Sequence, residues 1–95
     1  MQYAVYVMTL KPTSRCKRTE PYQYYVGSTY VDESHGVKDR IQDHRNGHKS
    51  NVIKRGYKIT SGKQVSLHPS RLEAEEAEKE HAIQMRDKGF KVWQA

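Results

Sequence analysis

Two tyrosine-rich apolar runs joined by a proline-bounded basic stretch constrain this chain more than any other feature in it. From Gln2 to Leu10, Tyr, Val and Met crowd together with only Gln2 and Thr9 as polar members, which predicts a central strand buried on both faces. Tyr22 to Ser28 predicts a second strand, with Gly27 near its end as a place where another group can approach the backbone closely. Between them, the segment from Lys11 to Pro21 holds Lys11, Arg15, Lys17 and Arg18. A local connection of that length makes the two strands antiparallel neighbours and leaves a basic loop at their end.

The spacing then turns helical. Val37, Arg40, Ile41 and His44 recur at three and four residues, with Ser34 as the expected cap and Gly47 as the expected stop. Asn51 to Arg55 reads as a short helical turn and Tyr57 to Ile59 as a short extended piece. Gln64 to His68 alternates as a third strand does, and Ser70-Arg71-Leu72-Glu73 is a capping-box pattern opening a long helix from Arg71 to Lys88, closed by Gly89. Phe90 to Trp93 alternates apolar and charged residues, as an edge strand does. The expected fold class is therefore α+β: a small antiparallel three-stranded sheet flanked by helices, in the order β-β-α-β-α with a C-terminal edge strand, all in one domain spanning residues 1–95.

Charge and cysteine content narrow the function classes. The chain has 17 Lys and Arg against 11 Asp and Glu, for a net charge of +6, so a polyanion is the default partner. Cys16 is the sole cysteine and cannot form an internal disulfide, which points to a reducing, cytoplasmic setting. No apolar run approaches the ~20 residues needed to span a bilayer, and the N-terminus lacks a signal-peptide pattern, so no membrane partner is expected.

Two helical stripes mix polar with apolar residues. In the first, Arg40 and His44 alternate with Val37 and Ile41; in the second, Glu78 and His81 share a face with Ala74, Ala77, Ala82 and Met85. A carboxylate among alanines is costly to bury unless a cation or hydrogen-bond donors meet it. The plainer reading is a solvated helix face.

Taken together and in order, these residues resemble a GIY-YIG nuclease domain. Ala4-Val5-Tyr6 stands where that family has Gly-Ile-Tyr, and Tyr25-Val26-Gly27 where it has Tyr-Ile-Gly. Arg40, His44 and Glu78 fall where the family carries an arginine, a His or Tyr, and a metal-binding glutamate. Ala4 departs from the family's first glycine, and no asparagine follows Glu78 as one does in many members. The resemblance implies endonucleolytic hydrolysis of a phosphodiester with one Mg2+ or Mn2+ held by Glu78. It also implies Tyr25 as the base, Tyr6 as a hydrogen-bonding positioner, Arg40 on the scissile phosphate, and His44 sharing the base role or orienting Tyr25.

DNA, duplex or branched, is the expected partner, with RNA left open; a partner subunit would supply selectivity, and a homodimer or two successive events would be needed to cut both strands. Its phosphates would meet Lys11, Arg15, Lys17, Arg18, Lys38, Arg45, Lys49, Lys54, Arg55 and Lys58, while the acidic surface of the last helix faces away. Other readings stand beside this one. Each tyrosine taken singly is an ordinary β-favouring residue. Tyr57 and Trp93 read as core or edge residues, although Lys54, Arg55 and Lys58 make a nucleic-acid face around Tyr57. His44 and His48, four apart, suggest zinc, but Asn46-Gly47 breaks the helix between them and a structural site needs four ligands. The alternative functions are a nucleic-acid-binding module without turnover and a basic interaction protein with no nucleic-acid role.

Overall fold

The structure, a computed structural model, describes residues 2–47 and 51–95. It is an α+β fold with a four-stranded mixed sheet in the order β3-β1-β2-β4. Strand β1 (Gln2–Pro12) and strand β2 (Tyr24–Val31) are antiparallel, and β1 lies inside the sheet, buried from Ala4 to Met8 as its unbroken apolar run predicts. Helix α1 (Val37–Arg45) and the single turn α2 (Asn51–Lys54) precede β3 (Tyr57–His68); helix α3 (Arg71–Asp87) and the short β4 (Val92–Gln94) complete the chain.

The two faces of the sheet carry separate cores. Ala4, Tyr6, Met8, Leu10 and Tyr25 pack under Val37, Ile41 and Val52 of α1 and α2. The alternate residues Val5, Val7 and Val26 pack against Ala74 and Ala82 of α3 and against Val92. Period-two alternation on β1 and β2 thus gives each helix layer its own floor.

Three expectations are corrected. Residues 57–59 and 64–68 are parts of one twelve-residue strand, β3, which pairs antiparallel with β1 through two register irregularities, between Val5 and Tyr6 and between Thr9 and Leu10. The intervening Thr60 to Lys63 has no apolar pattern because this edge is exposed there and held by backbone pairing and by hydrogen bonds from the Thr60 and Ser61 hydroxyls to Thr9. The sheet is not purely antiparallel: α3 carries the chain back along the sheet, so β4 runs parallel to β2, Tyr24 facing Val92 and Val26 facing Gln94. Finally, Ser34 does not cap α1. The Asp32 carboxylate accepts from the Ser34 and His35 N–H groups at 2.8 and 2.7 Å, which ends β2 in a turn and moves the cap to Gly36, whose N–H donates to the Asp39 carboxylate at 3.0 Å.

The longest helix follows its sequence closely. Ser70 Oγ accepts from the Glu73 N–H at 3.2 Å, Lys88 is the C-cap and Gly89 leaves the helix at a φ of 96°. No helix among the described residues is long and apolar enough to cross a membrane.

Candidate active site

Tyr6 of β1 stands directly opposite Gly27 of β2, and this pairing organises the site. A Cβ built on Gly27 would meet Tyr6 Oη at 2.7 Å, Tyr6 Cζ at 2.9 Å and Tyr25 Cε1 at 3.0 Å. The missing side chain therefore lets the Tyr6 ring lie across the neighbouring strand. Tyr25, two residues along β2 and on the same face, brings its ring within 6.3 Å of the Tyr6 ring at an interplanar angle of 30°.

Helix α1 closes the cluster from above. His44, 1% exposed, places Nε2 2.8 Å from Tyr6 Oη, and its ring meets Tyr25 edge-to-face at 5.1 Å. Arg40, one turn earlier and half-exposed, hydrogen-bonds the Tyr6 hydroxyl and acts electrostatically on Tyr25 and His44. A guanidinium has no acceptor, so Arg40 donates to the Tyr6 oxygen. Tyr6 Oη and His44 Nε2 share one hydrogen bond, whose donor is set by the imidazole tautomer.

Burial sets the protonation states. It pushes the Tyr6 hydroxyl well above the ordinary phenol range, helped by Tyr25 and opposed by Arg40. Tyr25 is also raised, first by burial and then by the Glu78 charge, with Arg40 and a hydrogen bond from Tyr6 pulling the other way. His44 is pushed down to about 4, by burial and then by the Arg40 charge. At neutral pH the cluster is therefore one permanent cation surrounded by uncharged hydrogen-bonding rings. That arrangement suits an anion bound in the plane of the guanidinium fork.

Glu78 lies on the other side of the sheet, on the α3 stripe between Ala74 and Ala82, and is 5% exposed. It comes close to the tyrosines past the end of β4: pairing of β2 with β4 stops at Val26 and Gln94, next to Gly27 and Ser28. Its charge raises both Tyr6 and Tyr25. Burial holds the Glu78 carboxyl above the usual range, opposed by hydrogen bonds from Gln94 and Ser28; the Gln94 amide donates at 3.4 Å. The cavity onto which Glu78 opens is lined by Ser28, Glu75, Glu76 and Gln94 and not by the tyrosines.

The structure thus brings Tyr6, Tyr25, Arg40 and His44 into one cluster and places Glu78 at its margin. Among the described residues, no group of three or more His, Cys, Asp and Glu side chains is gathered as a metal cage. A hard cation at Glu78 would rest on one carboxylate with water and substrate oxygens, the pattern Mg2+ adopts in phosphate chemistry. The Glu78 carboxyl fits this: it is buried, has a long amide contact and, among the described residues, makes no salt bridge, although Lys79 lines the same cavity.

Of the expected phosphate contacts, Arg15, Lys17, Arg18, Lys54 and Arg55 surround one cavity, and Lys11 and Lys58 are Cα partners across β1 and β3. Lys38 and Arg45 lie exposed on α1. Lys49, and His48 of the zinc reading, lie outside the described residues. Sequence reasoning missed Ser28 and Gln94 as partners of Glu78; Gln94 sits in the alternating tail, with no signal other than its position in an edge strand. Comparison with family models, with curated proteins and with solved structures gave no match.

Proposed function

We propose that this chain is a divalent-metal-dependent endonuclease of the GIY-YIG type that hydrolyses phosphodiester bonds in DNA. The observation that supports this most is the Tyr6, Tyr25, Arg40 and His44 cluster assembled over Gly27, since it offers one planar cation and two tyrosine hydroxyls to a phosphate. In this reading Arg40 holds the scissile phosphate and stabilises the charge that builds on its oxygens. Tyr6, fixed by His44, positions the reacting oxygen. Tyr25 removes a proton from the attacking water, and the Tyr6 hydroxyl and Arg40 stabilise the resulting phenolate.

Because burial outweighs Arg40 at Tyr25, the base role requires additional positive charge nearby. A Mg2+ or Mn2+ ion at Glu78 would supply it and polarise the phosphate. The protein would act in the cytoplasm, and two copies, or two successive events, would be needed to cut both strands.

A second reading is a nucleic-acid-binding module without turnover. It is favoured by the position of Glu78, which opens toward an acidic cavity on the α3 side. The deciding experiment is cleavage of a supercoiled plasmid and a branched duplex with Mg2+ or Mn2+, comparing the parent with folded Glu78→Ala, Arg40→Ala and Tyr25→Phe variants. The nuclease reading expects cutting by the parent and a loss of about a hundredfold or more in each variant. Salt-sensitive binding with no cutting of either substrate leaves the binding module.

A further inference from the structure

Beside the tyrosine cluster is a cavity of about 540 Å3 that the proposed phosphodiester chemistry does not use. Its apolar wall is made of Tyr22, Tyr57 and Trp93. Trp93 is the hub: its ring lies 5.5 Å from Tyr22, 6.1 Å from Tyr57 and, on the other side, 5.7 Å from Tyr25. The cavity and the candidate active site therefore share a wall.

The rim is purely cationic. Arg15, Lys17 and Arg18 come from the connection between β1 and β2, and Lys54 and Arg55 from the end of α2. The Arg18 guanidinium already lies 4.3 Å from the centre of the Tyr22 ring, so the surface accepts flat, π-bearing groups. Among the described residues, no carboxylate lines the cavity.

The site is also preformed. The N–H and hydroxyl of Thr13 both donate to the Gly56 carbonyl, at 2.9 and 2.7 Å, tying the basic connection to the turn before β3. Gly56 has a φ of 90°, and a side chain there would collide with the backbone of Cys16. The Tyr22 backbone N–H donates to the Tyr57 hydroxyl at 3.0 Å, which pins the Tyr57 side chain to the main chain at Tyr22. A pocket of this size held by backbone ties needs little ordering on binding.

We infer that this cavity is a subsite for one unpaired nucleotide of the nucleic-acid substrate, its base against the Trp93 and Tyr22 rings and its phosphates among the rim cations. Only a ligand with both an aromatic face and adjoining negative charge uses both halves of the wall. A paired base within a duplex has both faces covered by its neighbours and cannot enter; a nucleotide in a single strand, a flap or a junction can. The substrate class is therefore nucleic acid with unpaired residues next to the bond that is cut. This rests on the nuclease reading for its substrate, but the binding step can be measured without cleavage.

Trp93 is the sole tryptophan of the chain, so its fluorescence reports the cavity directly. The parent is titrated in EDTA with a thymidine tetranucleotide, an abasic tetranucleotide with the same number of phosphates, and thymidine monophosphate. The expected result is saturable quenching by the thymidine tetranucleotide, affinity at least about fivefold above that of the abasic strand, and weaker binding of the monophosphate. Tyr22→Leu should bring the preference for the strand with bases close to one, while Arg18→Gln, which leaves the aromatic wall in place, should weaken both strands. Equal affinity for the two strands with unmoved Trp93 emission overturns the subsite. Monophosphate binding as tight as that of the strand overturns it in favour of a free-nucleotide site. Cleavage without quenching removes the subsite alone, and quenching without cleavage on any substrate removes the nuclease reading alone.

Discussion

His44 and Glu78 are both buried and both shifted toward their neutral forms, but they act on stability with opposite signs. The folded pKa of His44 is about 4 against 6.5 for a free imidazole. Between these values the unfolded chain binds a proton that the folded one refuses, so this contribution is complete above pH 6.5 and is lost as pH falls toward 4. The loss should total about 3 kcal/mol. Denaturant titrations of the parent and His44→Gln at pH 7.0 and 4.5 check it; parallel curves for the two proteins would refute the assignment, since Glu78 is present in both. The Glu78 carboxyl is raised by burial, so the folded protein holds its proton to higher pH than the unfolded chain does, and the ionised group costs stability near neutrality. Glu78→Gln should therefore melt higher than the parent in EDTA while losing cleavage. A variant less stable than the parent in EDTA would mean that the carboxylate is already well matched within the chain.

At the scale of elements, α1 is placed by a glycine that looks like an ordinary surface residue. Gly62 on β3 is exposed, yet a Cβ there would meet Ile41 Cδ1 at 2.5 Å and Met8 Cγ at 3.4 Å. Ile41 is buried and lies between Arg40 and His44 on the same helix. Gly62→Ala should cost about 1 kcal/mol and alter cleavage, because the Ile41 side chain between Arg40 and His44 must turn away to admit the methyl group. Gly36→Ala, with nothing within 4 Å of its Cβ and an ordinary φ of −118°, serves as the control and should be nearly silent; equal effects at the two positions would defeat the argument. The same contrast explains what could be read from the sequence. The α3 stripe was legible, Ala74, Glu78 and Ala82 being buried as the spacing predicts, because a helix packed on a sheet writes its contact face as a period in one segment. The Tyr6 and Tyr25 strands were legible because β1 is covered on both faces. Strand β3 was not, since much of it is exposed and its contact with α1 is made through the absence of a side chain. The partners Ser28 and Gln94 of Glu78 were also hidden, because they come from two strands whose alignment depends on where β4 stops.

Across the whole molecule, charge is sorted by face. The body is a slab with extents of 39 × 30 × 17 Å. The rim cations of the cavity and the adjacent pair Lys11 and Lys58 gather near one end of the β1, α2 and β3 side, whereas α3 presents Glu73, Glu75, Glu76 and Glu80 as exposed residues from its own face. A thickness of 17 Å is about twice the Debye length at physiological salt, so a strand bound on one side is screened from charges on the other. The position of a lysine should therefore matter more than the net charge. Replacing Lys54 and Arg55 by Gln, or alternatively Lys79 and Lys88 of the α3 side, takes the same two charges from the net +6. The first pair should flatten the dependence of log affinity on log salt for a single-stranded oligonucleotide by about 0.7 per lost phosphate contact, and the second pair should leave the slope unchanged. Anisotropy titrations in EDTA over a salt series measure both. If the two double variants flatten the slope equally, binding follows the overall charge, and the sorted faces do not direct where the strand lies.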